Sequence, residues 1–164
     1  MTLSISSLDT PIGRIHFIAE GQVLLGLNFS NIKALTTGLA AVDFAHGFKD
    51  VARIPGISDL LTDYFDGDIT ALDLITSRQP GTPFLQAAWR AMRDVRGGTT
   101  ISYANLAERA GHPAAARAAG SACAKNTIAL VVPCHRIVKT GGLPGNYAYG
   151  LKRKEWLLRH EGAV

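Results

Sequence analysis

Ser102-Tyr103-Ala104-Asn105-Leu106-Ala107-Glu108-Arg109-Ala110-Gly111-His112-Pro113, with the alanine-rich run 114–125 behind it, sets the architecture of this 164-residue chain. Ser102 is an N-cap residue. Tyr103, Leu106, Ala107 and Ala110 recur at three- and four-residue steps, which predicts a short helix. Gly111-His112-Pro113 is a tight turn, and residues 114–125 predict a second helix. Two short helices joined by a glycine-containing turn form a helix-turn-helix layout, with 114–125 in the recognition position. That helix is built almost wholly of Ala, Gly and Ser, so its backbone can approach a partner closely. Arg117 is the one long side chain between Ala114 and Ala124.

Downstream, the apolar run from Thr127 to Val132 delivers Pro133-Cys134-His135-Arg136. A thiolate is the reactive form of cysteine, and it needs a base or a positive charge nearby. His135 is a candidate base and Arg136 a source of positive potential. Glu161, beyond a helix expected over Leu151–Arg159, could hold an imidazole in its productive tautomer. The residues alone leave open a buried structural cysteine beside a histidine. Gly141 to Gly150 is a glycine-rich loop carrying Tyr147 and Tyr149, suited to wrapping a flat ligand. In the terminal helix Leu151, Trp156 and Leu157 are expected to pack.

Upstream, Thr82-Pro83 starts a helix that places Phe84, Ala88, Trp89 and Met92 on one face and ends at Gly97-Gly98. Before residue 80 the chain reads as strands and turns. Ile5 to Asp9, Ile15 to Ile18 and Val23 to Phe29 are separated by Thr10-Pro11-Ile12-Gly13 and Glu20-Gly21-Gln22, the pattern of an antiparallel meander. Ile57 to Phe65 has helical spacing, and Ile69 to Ile75 reads as a further strand. The expected fold is α/β: an N-terminal antiparallel-sheet lobe over residues 1–80, and a mostly helical domain over 81–164 carrying the helix-turn-helix.

Charge divides along the same line. Residues 1–79 hold five Lys/Arg and nine Asp/Glu, whereas residues 80–164 hold twelve and four, giving the net +4. A concentrated positive half attracts a polyanion, nucleic acid being the commonest large one. The longest unbroken apolar stretch of the second half, Ile128 to Val132, is far too short to span a membrane. The N-terminus lacks the basic start of a secretory signal. Cys123 and Cys134, the two cysteines, cannot form a four-thiolate zinc site, and no second ligand pair has suitable spacing. A reduced, cytoplasmic protein with no metal and no cofactor is expected.

Ile101-Ser102-Tyr103, Gly111-x-Pro113, Arg117-Ala118, Asn126, Pro133-Cys134-His135-Arg136, Gly145-Asn146-Tyr147 and Lys154-Glu155-Trp156-Leu157-Leu158 occur in that order. This series closely resembles the O6-alkylguanine-DNA alkyltransferases, from about Thr82 to Glu161. The first 80 residues resemble them only through Thr10-Pro11-Ile12-Gly13 and the Tyr64-Phe65 helix end. The resemblance implies direct-reversal repair, with Cys134 accepting the alkyl group from O6 of guanine, and from O4 of thymine, once per molecule. It implies that His135 acts through a water as base, that Glu161 orients it, and that Tyr103 donates toward guanine N3. Asn126 belongs to the hinge between the recognition helix and the cysteine segment. Tyr147, Ala148, Gly145, Lys154 and the Ile137 carbonyl form the substrate site. Arg117 fills the stack left by an everted base, beside DNA contacts from Ala116, Ser121 and Tyr103. The implied partner is double-stranded DNA carrying O6-alkylguanine, bound from the minor groove by a monomer, with no membrane involved. The implied N-terminal lobe is ribonuclease-H-like.

Three positions depart from the family pattern. Ala148 stands where some relatives carry serine, so only its backbone N–H could face O6. Thr127 follows Asn126 where proline is usual, and a looser hinge is expected. Phe84-Leu85-Gln86 replaces Phe-Gln. A module that flags lesions without repairing them is an alternative, but Cys134 speaks against it. A thiol hydrolase using Cys134 and His135 is another, weakened by the basic surroundings.

Overall fold

A computed structural model describes residues 1–164, which divide into two compact units. The first comprises Met1–Pro80 with Thr127–Val131, and the second Gly81–Asn126 with Val132–Val164. A division at residue 80 therefore omits one excursion of the chain, the apolar run before Pro133.

In the first unit, β1 (Leu3–Thr10), β2 (Gly13–Glu20) and β3 (Val23–Asn28) form the expected meander. Ile5 pairs with Ile18 and Leu8 with Ile15, and a register shift falls between Ile18 and Ala19. The first turn closes through the Thr10 hydroxyl, which donates to the Gly13 carbonyl and accepts from the Ile12 N–H. The sheet is mixed rather than purely antiparallel. β4 (Phe48–Asp50) lies parallel to β1, and β5 (Thr76–Ser77) parallel to β3.

Three helices complete the unit: α1 (Ile32–Thr37), α2 (Ala41–Phe44) and α3 (Ser58–Phe65). Leu3, Ile5, Ile18, Leu25 and Leu35 pack into one core cluster. Each such side chain contributes about 1.5–3 kcal/mol when fully buried. The strand expected over Ile69–Ile75 is instead a 3-10 turn, Ala71–Leu74, leading into β5. Asp68 accounts for the difference, because its carboxylate accepts from the Thr70 N–H and hydroxyl and bends the chain there.

Thr127–Val131 lies along β3: Leu27 donates to the Thr127 carbonyl and accepts from the Ala129 N–H, both at 3.0 Å. Thr127 is not loose. Its N–H and its hydroxyl both donate to Gln79 Oε1 at 2.9 Å, so the residue standing where proline is usual uses the N–H that proline lacks.

The second unit runs α4 (Pro83–Arg93), β6 (Ile101–Ser102), α5 (Tyr103–Arg109), α6 (Ala116–Lys125), β7 (Ile137–Val138) and α7 (Leu151–His160). β6 and β7 pair in parallel. Thr82 caps α4 through the Leu85 N–H, and Ser102 caps α5 through that of Asn105. α4 stops at Arg93, before the Gly97-Gly98 pair, with Arg90 and Arg93 in its last turn complementing the helix dipole. α6 begins two residues later than the sequence suggests, because Ala114 takes a left-handed φ of 69° after Pro113. Ala119 and Ala122 are its buried face, and Trp89 Nε1 donates to the Ala122 carbonyl. Leu151 is exposed rather than packed, with Leu157 and Leu158 carrying the buried side of α7. No helix is long and apolar enough to cross a membrane.

Candidate active site

Pro133 ends the apolar run, and Cys134–Arg136 form a single 3-10 turn. Three residues per turn point successive side chains roughly 120° apart. Cys134 and His135, neighbours in sequence, therefore diverge. Cys134 lines a cavity, while His135 is fully buried against the C-terminal end of α7.

There His135 Nε2 lies 2.8 Å from Glu161 Oε2. Arg136 grips the same carboxylate, donating from Nε to Oε1 and from Nη2 to Oε2 at 2.9 Å, and from Nη1 to the Val95 carbonyl at 2.7 Å. All three side chains are buried. Burial opposes the negative charge of Glu161, yet the His135 and Arg136 contacts outweigh it and hold the carboxyl far below the usual range. Burial holds the His135 pKa down, against the attraction of Glu161 and with the help of the Arg136 and Lys154 charges. His135 Nδ1 is buried and has no hydrogen-bond partner in the protein.

Burial pushes the Cys134 thiol up, opposed by a hydrogen bond from the Asn126 side chain and by the charge of Lys154. The sulfur is thus a protonated thiol at rest, and attack requires removal of its proton as reaction proceeds. Asn126 is fixed in turn, its Nδ2 donating to the Val132 carbonyl at 2.8 Å. Lys154 is fully buried, and its Nζ donates to the carbonyls of Ile137 at 2.5 Å and Asn146 at 3.0 Å.

The cavity, of about 760 Å³, belongs to the second unit. Of the residues singled out from sequence, Cys134, Tyr103, Tyr147, Ala148, Ala116, Arg117 and Ser121 line it. His135, Glu161 and Asn126 stand behind Cys134. Gly145, Ile137 and Lys154 do not line the cavity. The Ile137 carbonyl is taken by Lys154, which ties β7 to the Gly145–Tyr147 loop from beneath. Tyr103 meets that loop through its hydroxyl, 3.3 Å from the Asn146 N–H and 3.4 Å from the Asn146 carbonyl. The Tyr147 ring packs edge-on to His135 and to Tyr149.

Sequence reasoning passed over Gly120, Cys123 and Ala124 in the cavity wall, and took in Asn146 only as part of the glycine-rich loop. The first three follow Ala116 at helical spacing, a signal the run of small residues hides. Burial raises the Cys123 thiol far above its ordinary range, so this second sulfur in the wall rests protonated. In the first unit Glu20, Asp43 and His46 come together as potential metal ligands. Arg78 already engages both carboxylates, donating to both oxygens of Asp43 at 2.7 and 2.9 Å and approaching Glu20 at 3.7 Å.

A buried carboxylate–imidazole pair behind a thiol, in a cavity walled by tyrosines and by an arginine-bearing helix, can remove a proton and let sulfur attack a carbon on a flat ligand. Residues 83–163 match the family model of the 6-O-methylguanine DNA methyltransferase DNA binding domain. The chain is 38% identical over 159 residues to the methylated-DNA–protein-cysteine methyltransferase of Salmonella typhimurium, covering 94% of this chain and 93% of that protein. It is 46% identical to the protein of that name from Shigella flexneri, with the same coverage. The crystal structure of Mycobacterium tuberculosis OGT in complex with DNA superposes with a TM-score of 0.80 at 31% identity, covering 98% of this chain and 93% of that one.

Proposed function

The chain belongs to the methylated-DNA–protein-cysteine methyltransferases, and from that membership we propose how its residues perform the transfer. The activity is direct-reversal DNA repair: an alkyl group leaves O6 of guanine in DNA and bonds to a cysteine of the protein. Cys134 is that cysteine. The observation carrying the assignment is its thiol in the wall of the cavity, with the His135–Glu161 pair buried behind it.

His135 Nδ1 takes the thiol proton through one water, and the imidazolium that forms is held by Glu161. The sulfur attacks the alkyl carbon in line. The new S–C bond replaces the C–O6 bond, whose electron pair returns to the purine, and Tyr103 donates toward N3 as charge develops there. Tyr147 packs on the base, with the backbone N–H of Ala148 facing O6. Gly145 and Lys154 shape and support this loop. The thioether is stable, so each molecule acts once. O4-alkylthymine fits the same chemistry.

O6 of a stacked guanine cannot reach a thiol in a cavity wall. The nucleotide is therefore everted, at a cost of a few kcal/mol. α5 and α6 act as a helix-turn-helix working from the minor groove, and Arg117, exposed on α6, enters the vacated stack. Ala116 and Ser121 meet the backbone beside it. Of the second unit's charged side chains, twelve are basic and four acidic, which favours a monomer steered onto phosphate. The meander with β4 parallel beside β1 supports a ribonuclease-H-like first unit, which acts as a supporting domain, in a cytoplasmic protein.

Incubation with a duplex containing one O6-methylguanine, followed by intact-mass measurement, tests the proposal. The gain of one methyl group by the wild-type protein, and none by Cys134→Ala, is expected. Tight lesion binding with unchanged mass would instead make the protein a lesion-flagging module.

A further inference from the structure

We propose that Arg136 is a positioning residue for the transfer, which holds His135 as a neutral imidazole protonated on Nε2, so that Nδ1 is the basic nitrogen. The inference rests on the reading that His135 takes the Cys134 proton, and adds what sets that histidine's charge and tautomer.

The argument starts from the shared carboxylate. Glu161 Oε2 faces both His135 Nε2 and Arg136 Nη2, and Oε1 faces Arg136 Nε. A guanidinium does not lose its proton in a protein, and two parallel N–H bonds fix the carboxylate as well as charging it. Glu161 thus remains an anion that only accepts. Its contact with His135 Nε2 has to be an N–H donated by the ring. A neutral imidazole has one N–H, so the lone pair falls on Nδ1, the buried nitrogen with no protein partner.

Burial above all keeps a second proton off the ring, and Arg136 works on the same side. A buried anion beside a histidine draws a second proton onto it, and an imidazolium has no lone pair to offer the thiol. The guanidinium cancels much of that pull. The groups facing His135 are Glu161 and Lys154 from α7 and its end, Arg136 from its own turn, and the edge-packed Tyr147 ring. Glu161 alone carries negative charge among them, against two cations. Burial adds to the same side, and the His135 pKa is held down. Arg136 is itself anchored on the Val95 carbonyl, so the fork that aligns Glu161 does not swing with it.

A plain structural ion pair would leave the same geometry but a different titration. Histidine 15N resonances of the wild-type protein, recorded through the imidazole range around pH 6.5, separate the two. His135 is expected to show the Nε2–H neutral pattern throughout, with no titration near that value. An Nδ1–H pattern, or an imidazolium at neutral pH, overturns the proposal. This measurement needs no alkyl transfer, so it stands apart from failure of Cys134 to accept a methyl group.

Arg136→Gln gives the complementary readout. The acid limb of the methyl-transfer rate should rise by at least about one pH unit, with most of the rate regained at higher pH. A rate lowered equally at every pH, with an unmoved limb, means Arg136 only supports the fold and contradicts the proposal. Should that variant fail to fold, Arg136→Lys, which keeps the charge and loses the fork, should leave the acid limb in place and lower the rate, and a wild-type rate in it contradicts the proposal.

Discussion

Gly145 lies against Tyr103 so closely that a Cβ built on it would sit 2.8 Å from the tyrosine hydroxyl oxygen. Its φ of +74° is also one that side chains rarely adopt. The Tyr103 hydroxyl, the donor proposed for the departing guanine, thus leaves no room for a side chain at position 145. Gly145→Ala is expected to displace Tyr103 and slow methyl transfer by tenfold or more, for a stability loss of about 1–3 kcal/mol. Single-turnover rates with a methylated duplex, beside denaturant unfolding, check this. A wild-type rate in Gly145→Ala contradicts it.

Thr127 and Gln79 make a second close arrangement, one acceptor serving two donors at 2.9 Å. Thr127→Val keeps the shape and loses one hydrogen bond, at about 1 kcal/mol. Gln79→Ala strands both donors and is expected to cost more, up to about 3 kcal/mol. Urea midpoints report the order. A Gln79→Ala midpoint equal to wild type would show that the clasp does nothing for the fold.

What could be read in the chain beforehand depended on how local the cause was. Thr82-Pro83 and Ser102 cap helices by bonds three residues long, and both were legible. Pro133-Cys134-His135-Arg136 announced a chemical site. The pairing of His135 with Glu161 spans 26 residues and two elements, and only the fold brings it about. Arg136 read as a source of positive potential, and only the fold shows its guanidinium on the Glu161 carboxylate. Lys154 followed the family pattern into the substrate site, but its amine is spent on two backbone carbonyls. The edge strand β4, three residues long, has too little pattern to show, and Asp68 hid a turn inside what looked like a strand.

Stability should form a bell in pH. His135 has a lowered pKa in the folded state, so below about pH 6.5 the unfolded chain binds the extra proton and stability falls as pH drops toward the folded pKa. Glu161, also lowered, adds a further loss below about pH 4.3. Cys134 is raised, so above about pH 8.5 the unfolded thiol ionises first and stability falls as pH rises. Unfolding free energies across this range check the sign of each limb. Cys123, raised likewise, adds to this limb, so Cys134→Ser should make it shallower, and an unchanged alkaline slope argues against the buried protonated thiol.

Arg117→Ala should separate two substrates. Free O6-methylguanine base needs no stack filled, so its rate should stay within about twofold, while repair in duplex DNA falls about tenfold or more. Equal losses on both substrates contradict the finger role. Duplex affinity should also fall steeply with salt, through released counterions, and a flat response would contradict the basic face.

The most direct test counts methyl groups. Wild-type protein is mixed with excess duplex carrying O6-methylguanine, and transferred methyl is followed to completion and mapped by peptide mass. One methyl per molecule, all of it on the peptide containing Cys134, is the predicted end point. Continued turnover, or a methyl found on Cys123 or any other residue, would contradict it.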